Sequence, residues 1–288
     1  MKDNYIKSPM NYMGGKYKLL DRILPVLQQG NPVFVDLFAG GLNVGINVEA
    51  ETIYANDRMT YLIELYEYFQ NTPVDEIITA VNDKIDEYSL DQQNTDGFNK
   101  LREDYNNERS PLKLFVLACY SFNHQLRFNN KFQYNMPFGR NRSSFNPSIE
   151  HNLIRFATAL KEKNIVLSSQ DFMDFDFGKA KDGVVYCDPP YLISTGTYND
   201  GKRGFGGWKE SDDDNLLNLL DQLDKDKIKF ALSNVFYHKG DENKRLIEWS
   251  KKYRVMYLDT DYSNCNYQIK NKEAKTVEVL ITNYDNER

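Results

Sequence analysis

The stretch VFVDLFAGG, from Val33 to Gly41, decides the fold. An apolar run, Val33–Phe38, stops at Ala39-Gly40-Gly41, and a helix-like segment, Asn43–Val48, follows. A second apolar run, Ile53–Asp57 (IYAND), ends on an acid. Runs of this length bounded by turn residues read as buried strands. The pattern returns at Ile165–Ser168, Val184–Asp188, Lys229–Asn234, Val255–Asp259 and Val277–Asn283. Helical spacing fills Asn152–Lys161, Asp214–Leu223 and Lys244–Lys252 between them. Strands alternating with crossover helices imply an α/β fold, a doubly wound, Rossmann-like and mostly parallel sheet.

The middle of the chain reads differently. Tyr61–Asn71, Val74–Glu87, Gly97–Asn106 and Leu112–Tyr120 have helical spacing with no strand between them. Arg127–Met136 (RFNNKFQYNM) reads as a short β-hairpin turning at Asn129-Asn130, with no Gly to ease the turn. A helical module with a hairpin is thus inserted into the sheet, with boundaries near Asp57 and His151. The expected division is 1–58 with 152–288 as one domain and 59–151 as the other.

Composition narrows the function. Hydrophobic residues make up 41% and charged residues 27% of the 288 residues, as in a soluble globular protein. The longest apolar runs are strand-sized, and the N-terminus lacks the apolar core of a signal peptide. No membrane partner and a cytoplasmic setting are therefore expected. Cys119, Cys187 and Cys265 are odd in number and widely spaced, and His124, His151 and His238 stand apart. Neither a disulfide scaffold nor a Cys- or His-based metal site is expected. The net charge of −6 argues against a polyanion, yet Arg109–Ile149 contains Arg109, Lys113, Arg127, Lys131, Arg140 and Arg142 and no Asp or Glu. This basic, aromatic and amide-rich window reads as a polyanion-facing surface or as a solvated basic face.

Two sequence elements carry chemistry. A strand ending in a glycine turn brings backbone N–H groups to a ligand at the carboxyl edge of the sheet. Asp57, closing the next strand, is placed to accept hydrogen bonds from ribose hydroxyls. This pair alone is a weak signal, since the pattern is neither GxGxxG nor a P-loop. Asp188-Pro189-Pro190-Tyr191 follows the strand VVYC. Two prolines fix the backbone and remove two N–H donors, so the carbonyls remain as acceptors. Asp188 adds a charged acceptor and Tyr191 a flat ring, a set that suits a planar group bearing an NH2.

These residues match a family. NYMGGK (Asn11–Lys16), FVDLFAGG (Phe34–Gly41), AND (Ala55–Asp57), NMPFGR (Asn135–Arg140) and DPPY (Asp188–Tyr191) resemble the Dam-type, D12 class adenine-specific DNA methyltransferases of the alpha group. KLREDYN (Lys100–Asn106), LLNLLD (Leu216–Asp221), SNV (Ser233–Val235) and EWSKKY (Glu248–Tyr253) extend the likeness over nearly the whole chain, most closely to the Dam enzymes of T-even phages. The resemblance implies methyl transfer from S-adenosylmethionine, without a metal, to the N6 amino group of an adenine flipped out of double-stranded DNA. It places Tyr12, Lys16, Asp36, Phe38, Gly40, Asp57, Phe172 and Asp188 around the cofactor, and Asp188, Pro189, Pro190 and Tyr191 at the reacting amino group. It makes 59–151 a target-recognition domain. There Phe122 enters the base stack and Arg127 reads a guanine edge. Asn123, Gln125, Asn129, Asn135, Pro137 and Arg140 lie at the DNA, and Arg102 contacts its backbone.

The implied target is GATC. Three departures stand against a simple transfer. Asn11 replaces a Lys of many bacterial relatives, Gln125 replaces an apolar Leu or Met, and Tyr198–Trp208 is longer than in the phage relatives. Ser194–Lys209, with five glycines, is expected to be mobile without DNA. Other readings are an amino-group methyltransferase for cytosine in DNA or for RNA, and a DNA-binding subunit without catalysis. A cognate restriction endonuclease, and a monomer or weak dimer, stay open.

Overall fold

The computed structural model describes residues 5–12, 14–27, 31–129, 131–193, 208–258 and 276–285. Most of the glycine-rich stretch expected to be mobile, 194–207, lies outside the described residues. The sheet contains β1 (Val33–Asp36), β2 (Thr52–Asn56), β3 (Ile165–Ser168), β4 (Val184–Cys187), β5 (Lys229–His238), β6 (Asp241–Glu242), β7 (Arg254–Tyr257) and β8 (Thr276–Thr282). Its order is β3-β2-β1-β4-β5-β8-β7, with β6 on the end of β5. β1 to β5 run parallel, and β8 runs antiparallel between β5 and β7. The order reverses between β1 and β4, so their carboxyl ends diverge into a crevice where ligands of such sheets bind. This is the expected doubly wound α/β sheet.

The register fixes what reaches that edge. Asp36 pairs with Tyr186 across β1 and β4, and Cys187 with Leu232 across β4 and β5. The glycine turn and the DPPY turn therefore leave neighbouring strands at the same level. β5 extends four residues beyond the expected Asn234, because it pairs with β8 from Ala231 to His238.

The helices are α1 (Leu20–Leu27), α2 (Thr60–Asn71), α3 (Val74–Glu87), α4 (Thr95–Asn107), α5 (Pro111–Tyr120), α6 (Pro147–Glu162), α7 (Glu210–Lys225) and α8 (Lys244–Ser250). Asn94, Ser110, Asn146 and Asn243 accept backbone N–H groups at the starts of α4, α5, α6 and α8. The sequence reading missed α1. Leu20, Ile23, Leu24 and Leu27 have helical spacing there, but Pro25 between them reads as a breaker. The segment expected to be helical after the glycine turn is one 3-10 turn, Gly45–Asn47.

Two cores flank the sheet. One joins Phe34, Tyr186, Ala231 and Leu280 of the sheet to α1 and to Phe69, Phe98, Leu101, Phe115 and Phe128 of the inserted segment. The other packs Val35, Val185, Phe230 and Val279 against Leu216, Leu220 and Leu223 of α7 and Leu246 of α8. Each fully buried Phe or Leu contributes about 1.5–3 kcal/mol. The inserted helices thus share a continuous apolar core with the sheet.

The hairpin is looser than the sequence implies, with isolated bridges at Ser121–Phe138 and Phe128–Tyr134. Asn129 N–H donates to the Gln133 carbonyl at 2.9 Å, and Asn129 Oδ1 accepts from the N–H groups of Lys131 and Gln133. The Asn129 side chain organises the turn, and Phe132 takes the left-handed conformation (φ 55°). Asn130 lies outside the described residues.

Candidate active site

The glycine turn is held by side chains from three elements. Gly40 has φ 47°, and its N–H donates to Asp57 Oδ2 at 2.8 Å. Its carbonyl accepts from the Tyr66 hydroxyl of α2 at 2.6 Å. A Cβ on Gly40 would lie 2.9 Å from the Tyr12 ring, so this position requires glycine. Tyr12 lies over the turn, and its hydroxyl donates to the Met59 sulfur at 3.2 Å. Asp57 Oδ1 accepts from the Met59 N–H at 2.9 Å, and burial pushes the Asp57 carboxyl up against these two hydrogen bonds.

Phe38, half-buried, precedes this turn and packs against Phe172 with ring centroids 5.4 Å apart. Asn56 ties the two together. Its Nδ2 donates to the carbonyls of Leu37 and Gln170, and its Oδ1 accepts from Ser168 Oγ and the Gln170 N–H. Asp36 is 2% exposed. Its Oδ2 accepts from the Gly45 N–H at 3.0 Å, and its Oδ1 is buried with no hydrogen-bond partner among the described residues. Burial, joined by the charges of Asp188 and Asp57 and opposed by that N–H, pushes the Asp36 carboxyl up to about 8.

At the DPPY turn, Asp188 Oδ1 takes two donors. The Tyr191 hydroxyl donates at 2.7 Å, and the Lys16 ammonium lies at 3.0 Å. The Lys16 side chain is 4% exposed, donates to the Gly14 carbonyl at 2.8 Å, and sits 4.9 Å from the Tyr191 ring centroid. Burial first, and then the Asp188 charge, push the Tyr191 hydroxyl well up, so it stays a donor. No hydrogen bond among the described residues reaches Asp188 Oδ2 or the Pro189 carbonyl. Pro189 is buried and Pro190 exposed, so the structure places Pro190 outside the enclosed part of this turn.

The structure gathers Tyr12, Lys16, Asp36, Phe38, Gly40, Asp57, Phe172, Asp188, Pro189 and Tyr191 along one sheet edge. The reading missed Asn56, Met59 and Tyr66, which fix the turn from behind. Asn56 is legible inside AND only as a neighbour of the acid, and Tyr66 looks like one more core residue of α2.

The acid-free window forms a second surface. Phe122 is 39% exposed, with the Arg142 guanidinium 4.9 Å from its ring centroid. Asn123 and His124 are both left-handed, and the Asn123 carbonyl accepts from Asn11 Nδ2 at 3.0 Å. Arg127 Nε donates to Asn135 Oδ1 at 2.9 Å and its Nη2 to the Asn135 carbonyl at 2.5 Å. The Gln125 carbonyl accepts from the Tyr134 hydroxyl, whereas its side-chain amide makes no hydrogen bond among the described residues. Pro137 and Arg140 are exposed, and Asn129 is held in the turn. Arg102 lies apart on α4, where Asn99 accepts from it at 3.0 Å.

The described residues contain no group of His, Cys, Asp and Glu that could hold a metal, and no helix long and apolar enough to cross a membrane. Comparison with known proteins gives one family. The profile of the D12 class N6 adenine-specific DNA methyltransferases matches residues 12–276. The chain is 48% identical over 285 residues to the type II methyltransferase M.FokI of Planomicrobium okeanokoites, covering 99% of this chain and 44% of that protein. It is 46% identical to the modification methylase StsI of Streptococcus sanguinis, covering 98% of this chain and 43% of that protein. A DNA adenine methylase of Serratia marcescens is 29% identical over 78% of this chain and 82% of its own length. The chain thus spans less than half the length of the first two relatives and most of the third. It belongs to the D12 class N6 adenine-specific DNA methyltransferase family.

Proposed function

We propose that this chain transfers a methyl group from S-adenosylmethionine to the N6 amino group of an adenine flipped out of double-stranded DNA. One observation carries the reading: among the described residues, no hydrogen bond reaches Asp188 Oδ2 or the Pro189 carbonyl, two acceptors beside Tyr191. An adenine amino group presents two hydrogens to such a pair. Lys16 and Tyr191 both hold Asp188 Oδ1, which leaves Oδ2 for the substrate.

The residues fit the cofactor. The Gly40 turn is a cradle that a side chain would fill, and Asp36 Oδ1 is a buried acceptor that a ligand ammonium would satisfy. Asp57, behind the turn, has further lone pairs for ribose hydroxyls. Phe38 and Phe172 offer aromatic surface to the purine. When bound, S-adenosylmethionine supplies an electrophilic methyl group on a sulfonium.

The adenine amino group is a poor nucleophile because its lone pair is delocalised into the ring. Asp188 and the Pro189 carbonyl accept its hydrogens, localise that lone pair and aim it. Positioning of this kind supplies a large share of the rate. The Asp188 carboxylate also offsets the positive charge that develops on nitrogen, a charge that is removed when the nitrogen sheds one of its protons. Extrusion of the base costs roughly a few kcal/mol, and Tyr191 returns about 1–3 kcal/mol by stacking. We assign residues 59–151 as the target-recognition segment and the remainder as the catalytic one. A DNA-modification role follows the name of the relative StsI, and a cognate restriction endonuclease is the partner such a role would protect against.

For the recognition sequence, matches at Phe122, Arg127, Asn129, Asn135 and Pro137 support GATC, and so does the family likeness to the Dam enzymes of phages and bacteria. A specific observation favours a different sequence. The Gln125 amide has no partner among the described residues, and it can pair with an adenine edge. Asn11, in the place of a guanine-reading Lys, is committed to the Asn123 carbonyl. Digestion of the methylated DNA by a methylation-sensitive GATC nuclease decides. Protection supports GATC, and full cutting of DNA that carries the methyl label rules GATC out and points to Gln125 as the residue that changes the reading.

A further inference from the structure

Phe38, Phe172 and Trp208 close a triangle at the carboxyl edge of the sheet. The centroids are 5.4 Å apart for Phe38–Phe172, 5.7 Å for Phe38–Trp208 and 5.7 Å for Phe172–Trp208. Phe172 is buried, whereas Phe38, two residues ahead of Gly40 in the chain, and Trp208 are only half-buried. Trp208 comes from elsewhere in the chain, just ahead of α7. Its indole N–H donates to Asp213 Oδ1 at 3.2 Å. Asp213 is 1% exposed, its Oδ2 has no hydrogen-bond partner among the described residues, and burial pushes its carboxyl up.

Holding a carboxylate this deep costs free energy, and among the described residues only the indole N–H as a hydrogen bond and the charge of Arg245 offset it. A ring that served only to fill the core would not require it, since Phe packs without a polar partner. The cost is understandable if the indole must hold one orientation. A fixed, half-buried flat ring against Phe38 suits a purine, because aromatic rings stack on any base.

We propose that Trp208 is a cofactor-contacting residue that supplies the third aromatic wall of the purine subsite, with Asp213 as the positioning residue that sets its ring. This rests on the reading that the site binds S-adenosylmethionine. The chain has two tryptophans, and the other, Trp249, donates to Asp221 and packs on Phe230 and Tyr253. Fluorescence can therefore be assigned to each ring.

The test titrates the full chain with S-adenosylmethionine and with S-adenosylhomocysteine, followed by calorimetry and by tryptophan fluorescence. The fluorescence response should survive in Trp249→Phe and vanish in Trp208→Phe. Trp208→Ala should raise Kd about tenfold for both ligands, because both carry the purine, and Trp208→Phe should raise it far less. Asp213→Asn, which keeps an acceptor for the indole, should bind like the unsubstituted protein, and Asp213→Leu should resemble Trp208→Ala. Calorimetric binding with an unchanged Kd in Trp208→Ala and a silent Trp249→Phe overturns the proposal and leaves the methyl-donor reading standing. A loss confined to S-adenosylmethionine overturns the purine contact. Absence of binding to the unsubstituted protein overturns both.

Discussion

Lys16 and Asp188 meet at 3.0 Å in the centre of the site, with side chains 4% and 18% exposed. The pair joins the N-terminal segment to the carboxyl end of β4. Removing one partner of a buried pair leaves the other charge uncompensated, at about 3–5 kcal/mol. Lys16→Met should cost about 3 kcal/mol of stability and should disorder the Asp188 carboxylate. The double variant Lys16→Met with Asp188→Asn should be more stable than Lys16→Met alone. Urea unfolding of the four proteins checks this, and a double variant no more stable than Lys16→Met would show that the pair is not coupled.

Asp36 gives a pH dependence. Its carboxyl is pushed up to about 8 in the fold, chiefly by burial, with Asp188 and Asp57 facing it. An unfolded Asp ionises near pH 3.9. The folded state therefore binds the extra proton between these values. The stabilisation is complete below about pH 4, falls as pH rises towards 8, and changes no further above it. Asp36→Asn should flatten this slope. Thermal melts across pH 5–9 measure it, and parallel slopes in both proteins would remove Asp36 as the cause.

Asp221 acts in the opposite sense. Burial pushes its carboxyl up, but hydrogen bonds from Lys252, Tyr253 and Trp249 outweigh that and hold it below the usual range. Its contribution is present above the unfolded value near 3.9 and is lost as pH falls through the lower folded value. The site is partly exposed, so solvent screening reduces the ionic part. Asp221→Ala should cost about 1–2 kcal/mol, from hydrogen bonds worth roughly 0.5–1.5 kcal/mol each. It should loosen α8 against α7, with faster hydrogen exchange there. Unchanged exchange across 244–250 would contradict this.

The sheet was largely legible because its strands are short apolar runs cut by glycine, proline and acids. β3 and α3 match the reading residue for residue. α1 was hidden by Pro25, and the upper half of β5 by the polar Ser233-Asn234, which reads as the end of an apolar run although β8 pairs on through it. DPPY and Asp57 could be read because acids at strand ends are conspicuous. Asn56, Tyr66 and Trp208 could not, because their roles depend on partners distant in sequence. The Arg127–Asn135 contact was equally hidden. The family resemblance puts both residues at the DNA, yet nothing in the spacing shows that one holds the other.

That contact shapes the next prediction. Arg127 is preset by Asn135 and must leave it, or present its remaining edge, to reach a base. Arg127→Ala should relax discrimination at one base pair by about 1–3 kcal/mol. Arg102→Ala, away from the hairpin, should weaken binding to all sequences alike and lower the salt slope. Binding of matched and mismatched duplexes at several salt concentrations separates them. Equal losses on every duplex for both variants would remove Arg127 as a reader.

The central claim is the acceptor pair at Asp188 and Pro189 acting on an adenine amino group. The most direct measurement supplies labelled S-adenosylmethionine with double-stranded DNA, then digests the DNA to nucleosides and separates them. The account predicts label in N6-methyladenine alone, and none when Asp188→Ala replaces the unsubstituted protein under conditions where both bind the cofactor. Label in N4-methylcytosine, label in RNA in preference to DNA, or full activity in Asp188→Ala would contradict it.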